Sequence, residues 1–469
     1  MMLCWLQSRQ SSNEAVNSKN QRTGLNENNG DPLRMSTTSI LSELESAEVG
    51  EITERPDYEN LSTSAVLHYC KCKILRPYLR LLGVMGLRPT SGDDIECSPC
   101  YSIFANLHTF QVLIFMCIGY VLQYTACFRR DRGFCYTLMR IDHELVSNTT
   151  KELQYERICY GSIAFSYAIP SILHLSAYLY AVYLFRIREN EQLQNLMERA
   201  FLMSSDPSDR GSQKRLVRIL WLFIVLSIIW MIIALITVNL MMARGIIVFQ
   251  WLHSSPDQLK TVLKFFLIVC TLWHDMVQGT IITSYCLQGQ LLMSHLYFLR
   301  TKLLQHTLAP LDWMKEISEF KKLLKYFNDD FGPAVCIYTV VNFSWAAAGI
   351  LWLLKYDNVD VQSSPIIYIS IINVSLWVVI SLAPFIQAAR LTSACSTIQG
   401  IGHEIRVRPF VYQDTPGSDL DTILLYASSL NMCARLFRVP ITGRYLLLAL
   451  TVGSIVMLIL GQCHFLSGL

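Results

Sequence analysis

Charge is scarce in this chain. Acidic and basic residues make up only 16% of it and nearly cancel, to a formal +3 spread over many connections, so nothing concentrates the positive field that nucleic acid requires. Catalytic signatures are missing too. No GxSxG, Walker loop, HExxH or acidic pair at metal spacing occurs, which points to a non-enzyme without a cofactor. Cys97 and Cys100 form a CxxC, but a structural zinc site needs four ligands and no second pair lies nearby. Two ordinary thiols, and no metal, are expected there. The first 70 residues hold no apolar signal-peptide core, which leaves insertion to the first membrane span. No internal repeat is visible either, which argues against a transporter built of inverted halves.

Apolar residues, by contrast, reach 52% and gather in seven runs, at 104–128, 160–185, 219–242, 261–287, 333–354, 366–388 and 445–466. About 20 such residues cover the hydrocarbon layer. In lipid every backbone amide must find its partner within its own segment, so each run reads as a helix. The expected fold class is all-α, a seven-transmembrane helix bundle in residues 104–469. Lys and Arg number five in the pre-span segment 63–103 (Lys71, Lys73, Arg76, Arg80, Arg88) and seven, six and six in the second, fourth and sixth connections, 24 in all, against nine on the opposite face. The positive-inside rule therefore predicts an intracellular N-terminus and an extracellular C-terminus. This is the reverse of a G-protein-coupled receptor, the rival class. Asn148-Thr149-Thr150 is a glycosylation sequon on the predicted outer face, whereas the sequons at Asn342 and Asn373 fall inside spans and are expected to be inert. Cys135 and Cys159, in the same outer connection, are candidates for a disulfide.

Residues 1–62 are rich in Ser, Asn, Gln and Glu and are expected to be a disordered cytoplasmic tail. Within the pre-span segment 63–103, Leu79 to Leu87 is apolar but too short to cross, and reads as an amphipathic helix lying on the membrane surface. Cytoplasmic extensions at about 288–332 and 389–444 carry two stripes at helical spacing. One runs Trp313, Ile317, Phe320, Leu324, Phe327, with Asp312 placed to cap its start. The other runs Leu420, Ile423, Ala427, Leu430, Ala434, Phe437 behind a Ser418–Asp421 capping box. Such stripes must be buried, either against each other within one chain or between subunits.

Polar groups inside the membrane are costly and mark the places to look for function. His274 and Asp275 lie near the middle of the fourth span, where structural hydrogen bonding and a ligand-facing role are both open. His174 in the second span, beside a kink expected at Pro170, reads as a satisfied core residue. Tyr167, Asn239, Trp273 and Trp345 join His274 and Asp275 as candidate pocket residues, although aromatics in outer halves of spans also form interfacial belts. In the last span Thr451, Ile455, Leu458 and Gln462 share one face. A ring of such helices would enclose a pore with a hydrophobic constriction; close helix packing is the alternative.

From about residue 70 onward the chain resembles the insect gustatory receptors. The resemblance rests on LRLLGVMGLRP before the first span, the long basic connections and a last helix ending in Gln near the C-terminus. That family's last-helix motif is Thr-Tyr, five hydrophobic residues, then Gln-Phe. Here Gln462 matches, while Ile455-Val456 and Cys463 depart from it, so the sugar-receptor branches fit poorly. The stretches PLDWMKEISEFKKLLKYFNDDF and RVRPFVYQDTPGSDLDTILLYASSL and the ending GQCHF look like the carbon dioxide-sensing branch. The resemblance implies a ligand-gated nonselective cation channel of four like or related subunits in the plasma membrane of sensory neurons. It further implies a pore lined by the seventh helices, a gate at Gln462, a small-molecule pocket in the outer half of each bundle and a shared cytoplasmic anchor. A receptor for a sugar or other tastant is the alternative within the family.

Overall fold

Each apolar run is helical wherever it is described, as the lack of water in lipid demands. The structure, a computed structural model, describes residues 76–88, 99–126, 136–139, 155–158, 167–188, 210–243, 256–305, 308–355, 364–406 and 417–466, with His68, Cys72, Leu196 and Arg199. All of them belong to one unit, Tyr58–Leu469. The seven runs are carried by α2 (Pro99–Thr125), α3 (Ile169–Tyr183), α4 (Arg210–Ala243), α5 (Asp257–Leu304), α7 (Gly332–Lys355), α8 (Ser364–Gln399) and α11 (Gly443–Leu466). Five helical segments are long and apolar enough to cross a bilayer by length and composition alone. The protein is a multi-pass helical membrane bundle.

α5 is its axis. Its 48 residues span about 72 Å at 1.5 Å per residue, more than twice the hydrocarbon thickness, so its second half projects beyond the membrane. There it packs on α6 (Pro310–Tyr326), which with α9 (Ile401–Arg406) packs on α10 (Gly417–Ser429). Trp313, Ile317, Phe320, Leu324 and Phe327 are all buried, as are Ile423, Ala427 and Leu430, with Leu420 partly so. Trp313 meets Tyr426 edge-on at 6.0 Å, and the Tyr426 hydroxyl donates to the Met314 carbonyl at 3.3 Å. The stripes are thus consumed inside one chain, and the apolar residues left exposed on these helices are Leu311 and Leu425. Arg300 of α5 pairs with Glu404 of α9 at 2.7 Å.

Four expectations are corrected. The pre-span helix α1 (Arg76–Val84) turns its apolar face to protein rather than to lipid: Leu82, Met85 and Leu87 are buried, and the Tyr78 hydroxyl reaches Ser284 of α5. Gly86, at φ 72°, makes the turn that feeds this segment into the bundle. Pro170 sits in the first turn of α3, where its missing N–H costs nothing, rather than at a kink. α6 starts on Pro310 with no side-chain cap, and Asp312 instead lies in the first turn, where it complements the helix dipole. The second stripe stops being helical at Ser429. Beyond it Arg435–Leu436 (β3) pairs with Val439–Pro440 (β4), so Phe437 is an exposed hairpin-turn residue outside the anchor core, stacked on Phe385 at 6.3 Å.

In the first connection β1 (Tyr136–Met139) pairs antiparallel with β2 (Tyr155–Ile158), Tyr136 opposite Ile158. Cys135, Cys159, Asn148 and residues 1–62 lie outside the described residues.

Candidate functional site

The middle of α5 presents polar side chains at Thr271, His274, Asp275 and Gln278, a 3–1–3 spacing that points them to more than one neighbour. His274 faces α2. Its Nε2–H donates to the Met116 carbonyl at 3.1 Å and its Nδ1 accepts from Gln123 at 3.2 Å, while the ring stacks on Tyr120 at 4.5 Å. Gly119 makes this approach possible, since a Cβ there would lie 2.7 Å from His274 Cε1. Both nitrogens are therefore spent within the bundle, and His274 positions helices rather than presenting a free group to a cavity. The Tyr120 hydroxyl bonds His174 Nδ1 at 2.7 Å, and Tyr338 meets His174 edge-on at 5.0 Å. His174 is an interior residue, as expected, bonded through Nδ1.

Asp275 turns the other way. It is 3% exposed and lines a cavity with Thr271 of α5, Trp230, Ala234 and Val238 of α4, and Asn373, Leu376 and Trp377 of α8. The space open to the centre of a water molecule is about 10 Å³, the lower limit for holding one water. Aromatic rings wall it: Trp230 and Trp377 meet at 6.0 Å, Trp345 packs on Trp377 at 4.9 Å, and Trp230 Nε1–H donates to the Leu376 carbonyl at 3.1 Å. Next to it Gln278 donates to Asn342 at 2.7 Å, leaving Gln278 Oε1 and Asn342 Nδ2 buried without partners.

The remaining candidates separate. Trp273 packs edge-on against Phe115 at 5.7 Å with its indole nitrogen buried and unpaired, and Tyr167 packs on Tyr124 at 5.4 Å, both away from the cavity lining. Asn239 is a correction. It is exposed on α4, and its carboxamide bonds the Leu235 carbonyl of its own helix at 3.1 Å. Trp230, Ala234 and Val238 form the inner face of α4, and the next residue is turned about 100° from it. Sequence reasoning missed Trp230, Asn373 and Trp377; the signal for Trp230 was its spacing of four to Ala234 and Val238 on one face.

In the last helix Thr451, Ile455 and Leu458 are exposed, and Thr451 bonds the Leu448 carbonyl. Gln462 lies in α11, its side chain outside the described residues.

No family model and no curated protein matches the sequence. Solved structures do. The insect olfactory receptor OR5 from Machilis hrabei is similar with a TM-score of 0.54 at 11% identity, over 84% of this chain and 98% of that one. The fold is that of an insect olfactory receptor. The same receptor in complex with eugenol gives a TM-score of 0.55, again at 11% identity, over 86% and 99%. At this identity the likeness concerns architecture, and it takes in nearly all of that receptor.

Proposed function

We propose that this chain is a subunit of a ligand-gated, nonselective cation channel of sensory neurons, inserted in the plasma membrane with its N-terminus inside and its C-terminus outside. Four copies, or this chain with related subunits, would surround one pore lined by α11. The observation that carries this reading is α11 itself: none of its described side chains is buried in a single chain, whereas the axial α5 is buried along most of its length. An apolar helix on the rim of a bundle, with Thr451, Ile455, Leu458 and Gln462 on one face, suits a ring of mates around a hydrophobic constriction. The charge asymmetry of the connections supports the orientation.

The ligand is a small molecule, with carbon dioxide the first candidate. Support comes from the sequence resemblance, and the cavity beside Asp275 is the candidate pocket. Trp345 backs Trp377, which lines that cavity. A small uncharged gas offers little differential contact energy per site, so several pockets must act together to move the open–closed equilibrium. Ligand bound better by the open state draws α4, α5 and α8 together and moves α11 away from the axis. Patch recordings from cells expressing the chain alone and with candidate partner subunits test this, with pulses of carbon dioxide, bicarbonate, sugars and amines. Gas-evoked cation current, sensitive to substitution of Leu458 and Gln462, is expected. Current evoked only by a sugar or amine points to the tastant alternative. Signalling that persists without any current, together with a C-terminal tag that stains only after permeabilisation, points to the receptor of reverse topology.

A further inference from the structure

The stretch leading from α10 into α11 is held by side chains from three other elements. Asn328 lies in the π-helical turn Phe327–Phe331 that joins α6 to α7. Its Nδ2–H donates to the Cys433 carbonyl and its Oδ1 accepts the Arg435 N–H, both at 2.9 Å. A carboxamide that serves residues i and i+2 in this way reproduces the bonds of a neighbouring β-strand. The residue between, Ala434, faces the opposite side, where Thr392 of α8 accepts its N–H at 3.1 Å and donates to its carbonyl at 3.4 Å. Cys336 Sγ of α7 accepts the Phe437 N–H at 3.2 Å, and Gln399 of α8 donates to the Leu430 carbonyl. The chain then reverses through Phe437 and Arg438 at φ 55° and 63°, and the Ile441 N–H returns to the Ala434 carbonyl at 3.1 Å. Two side-chain-bearing residues in the left-handed region persist only where the surroundings over-determine them, and this clasp does so.

The same π turn is gripped from its other side. The Tyr180 hydroxyl of α3 donates to the Asp330 carbonyl at 2.9 Å. α3 carries His174, which belongs to the buried polar group around His274. One irregular turn therefore touches both α3, whose His174 packs against His274 of α5, and the stem of the last helix. A π turn is also a place where a helix can shift register at small cost.

We infer that Asn328 is a positioning residue for gating: it transfers displacement of α3 and the π turn to the inner end of α11. The gating part rests on the channel reading above; the clasp itself does not.

Hydrogen exchange on the purified full chain tests the clasp. N328A is expected to exchange the amides of residues 433–441 about tenfold faster, the equivalent of the one or two hydrogen bonds lost, with α5 unchanged. N328D keeps an acceptor for Arg435 but cannot donate to Cys433, and falls between. Unchanged exchange over 433–441 in N328A, N328D and T392V overturns the clasp whatever the chain does. Recordings under carbon dioxide pulses, with the same partner subunits and matched surface amounts, test the coupling. N328A is expected to change the ratio of basal to maximal current at least threefold, with N328D intermediate. A conducting wild type beside variants of identical basal current and concentration response overturns the gating role. Faster exchange in a protein that never conducts condemns the channel reading and leaves the clasp standing. Where N328A fails to reach the surface, N328D and T392V carry the same comparison.

Discussion

α5 and α11 are both long apolar helices of one bundle, and they are built for opposite neighbours. Most of α5 between Leu267 and Leu303 is buried, polar side chains included, because helices enclose it, and His274 and Gln278 find partners on α2 and α7. α11 has no buried side chain among the described residues, and Leu447, Leu448, Ile455 and Leu458 are each more than half exposed. Its polar residues are answered within the helix, Thr451 by the Leu448 carbonyl and Ser454 by the Leu450 carbonyl. The difference shows that apolar composition alone does not tell a core helix from a rim helix. What separates them is whether polar groups look outward for partners or are satisfied locally.

The largest expected effect comes from deleting one side chain in each environment. Trp313, at 0% exposure against α10, anchors the helices packed around the second half of α5, and W313A is expected to cost about 3–5 kcal/mol. Leu458 on α11 is 64% exposed in the single chain, so L458A is expected to leave the stability of the isolated subunit within about 0.5 kcal/mol. Thermal unfolding of the purified, unassembled subunit checks both. Equal losses would show that α11 is packed within its own chain and would remove the contrast.

The parts legible in the sequence are those governed by local periodicity and composition. Seven runs, their helical state and the stripe from Trp313 to Phe327 follow from spacing alone. The end of α10 did not, because Asn328 and Thr392, 105 and 42 residues away from the stretch they hold, turn it from helix to extended chain. Phe437 continued the heptad on paper for the same reason. Asp275 was visible because charge in a span is rare, yet Trp377 and Asn373 were not, since nothing local reveals which face of an apolar helix looks inward. Asn239 shows the same gap from the other side: a polar residue in a span marks function only when it faces protein, and this one bonds its own backbone.

Within α5 the contrast sharpens at His295, beyond the membrane. The ring is fully buried, stacks on Phe320 at 6.1 Å, and has no hydrogen-bond partner on either nitrogen among the described residues. Burial first, and the charge of Arg199 second, pull its pKa down from 6.5 to about 4. An unfolded chain takes up this proton near pH 6.5 and the folded one only near pH 4. Stability from keeping the ring neutral is therefore fully present above pH 6.5 and is lost as pH falls toward 4, by about 3 kcal/mol. H295F keeps the stacked ring without the titration. It is expected to match wild type at pH 7.5 and to lose less stability than wild type, by about that amount, at pH 4. Parallel acid titrations of the two proteins would show instead that water reaches this part of the anchor.

The smallest effect is the most pointed, because it asks the same question of two glycines. Gly119 of α2 lies against α5, and a Cβ there meets His274 Cε1 at 2.7 Å and Cys270 Cβ at 3.0 Å. The bond of His274 to the Met116 carbonyl keeps the ring from swinging aside, so G119A overpacks the contact and is expected to cost about 1–3 kcal/mol. Gly453 of α11 has nothing within 4 Å of a Cβ. In the isolated subunit G453A should therefore stabilise the helix by about 0.5–1 kcal/mol, as alanine does in any open helix position. In the assembled protein the sign depends on whether other subunits stand beside α11. A G453A subunit that is as stable alone as wild type, or more so, yet assembles poorly or conducts abnormally would show that this bare helix face is covered by mates. Identical assembly and current would show that only lipid covers it.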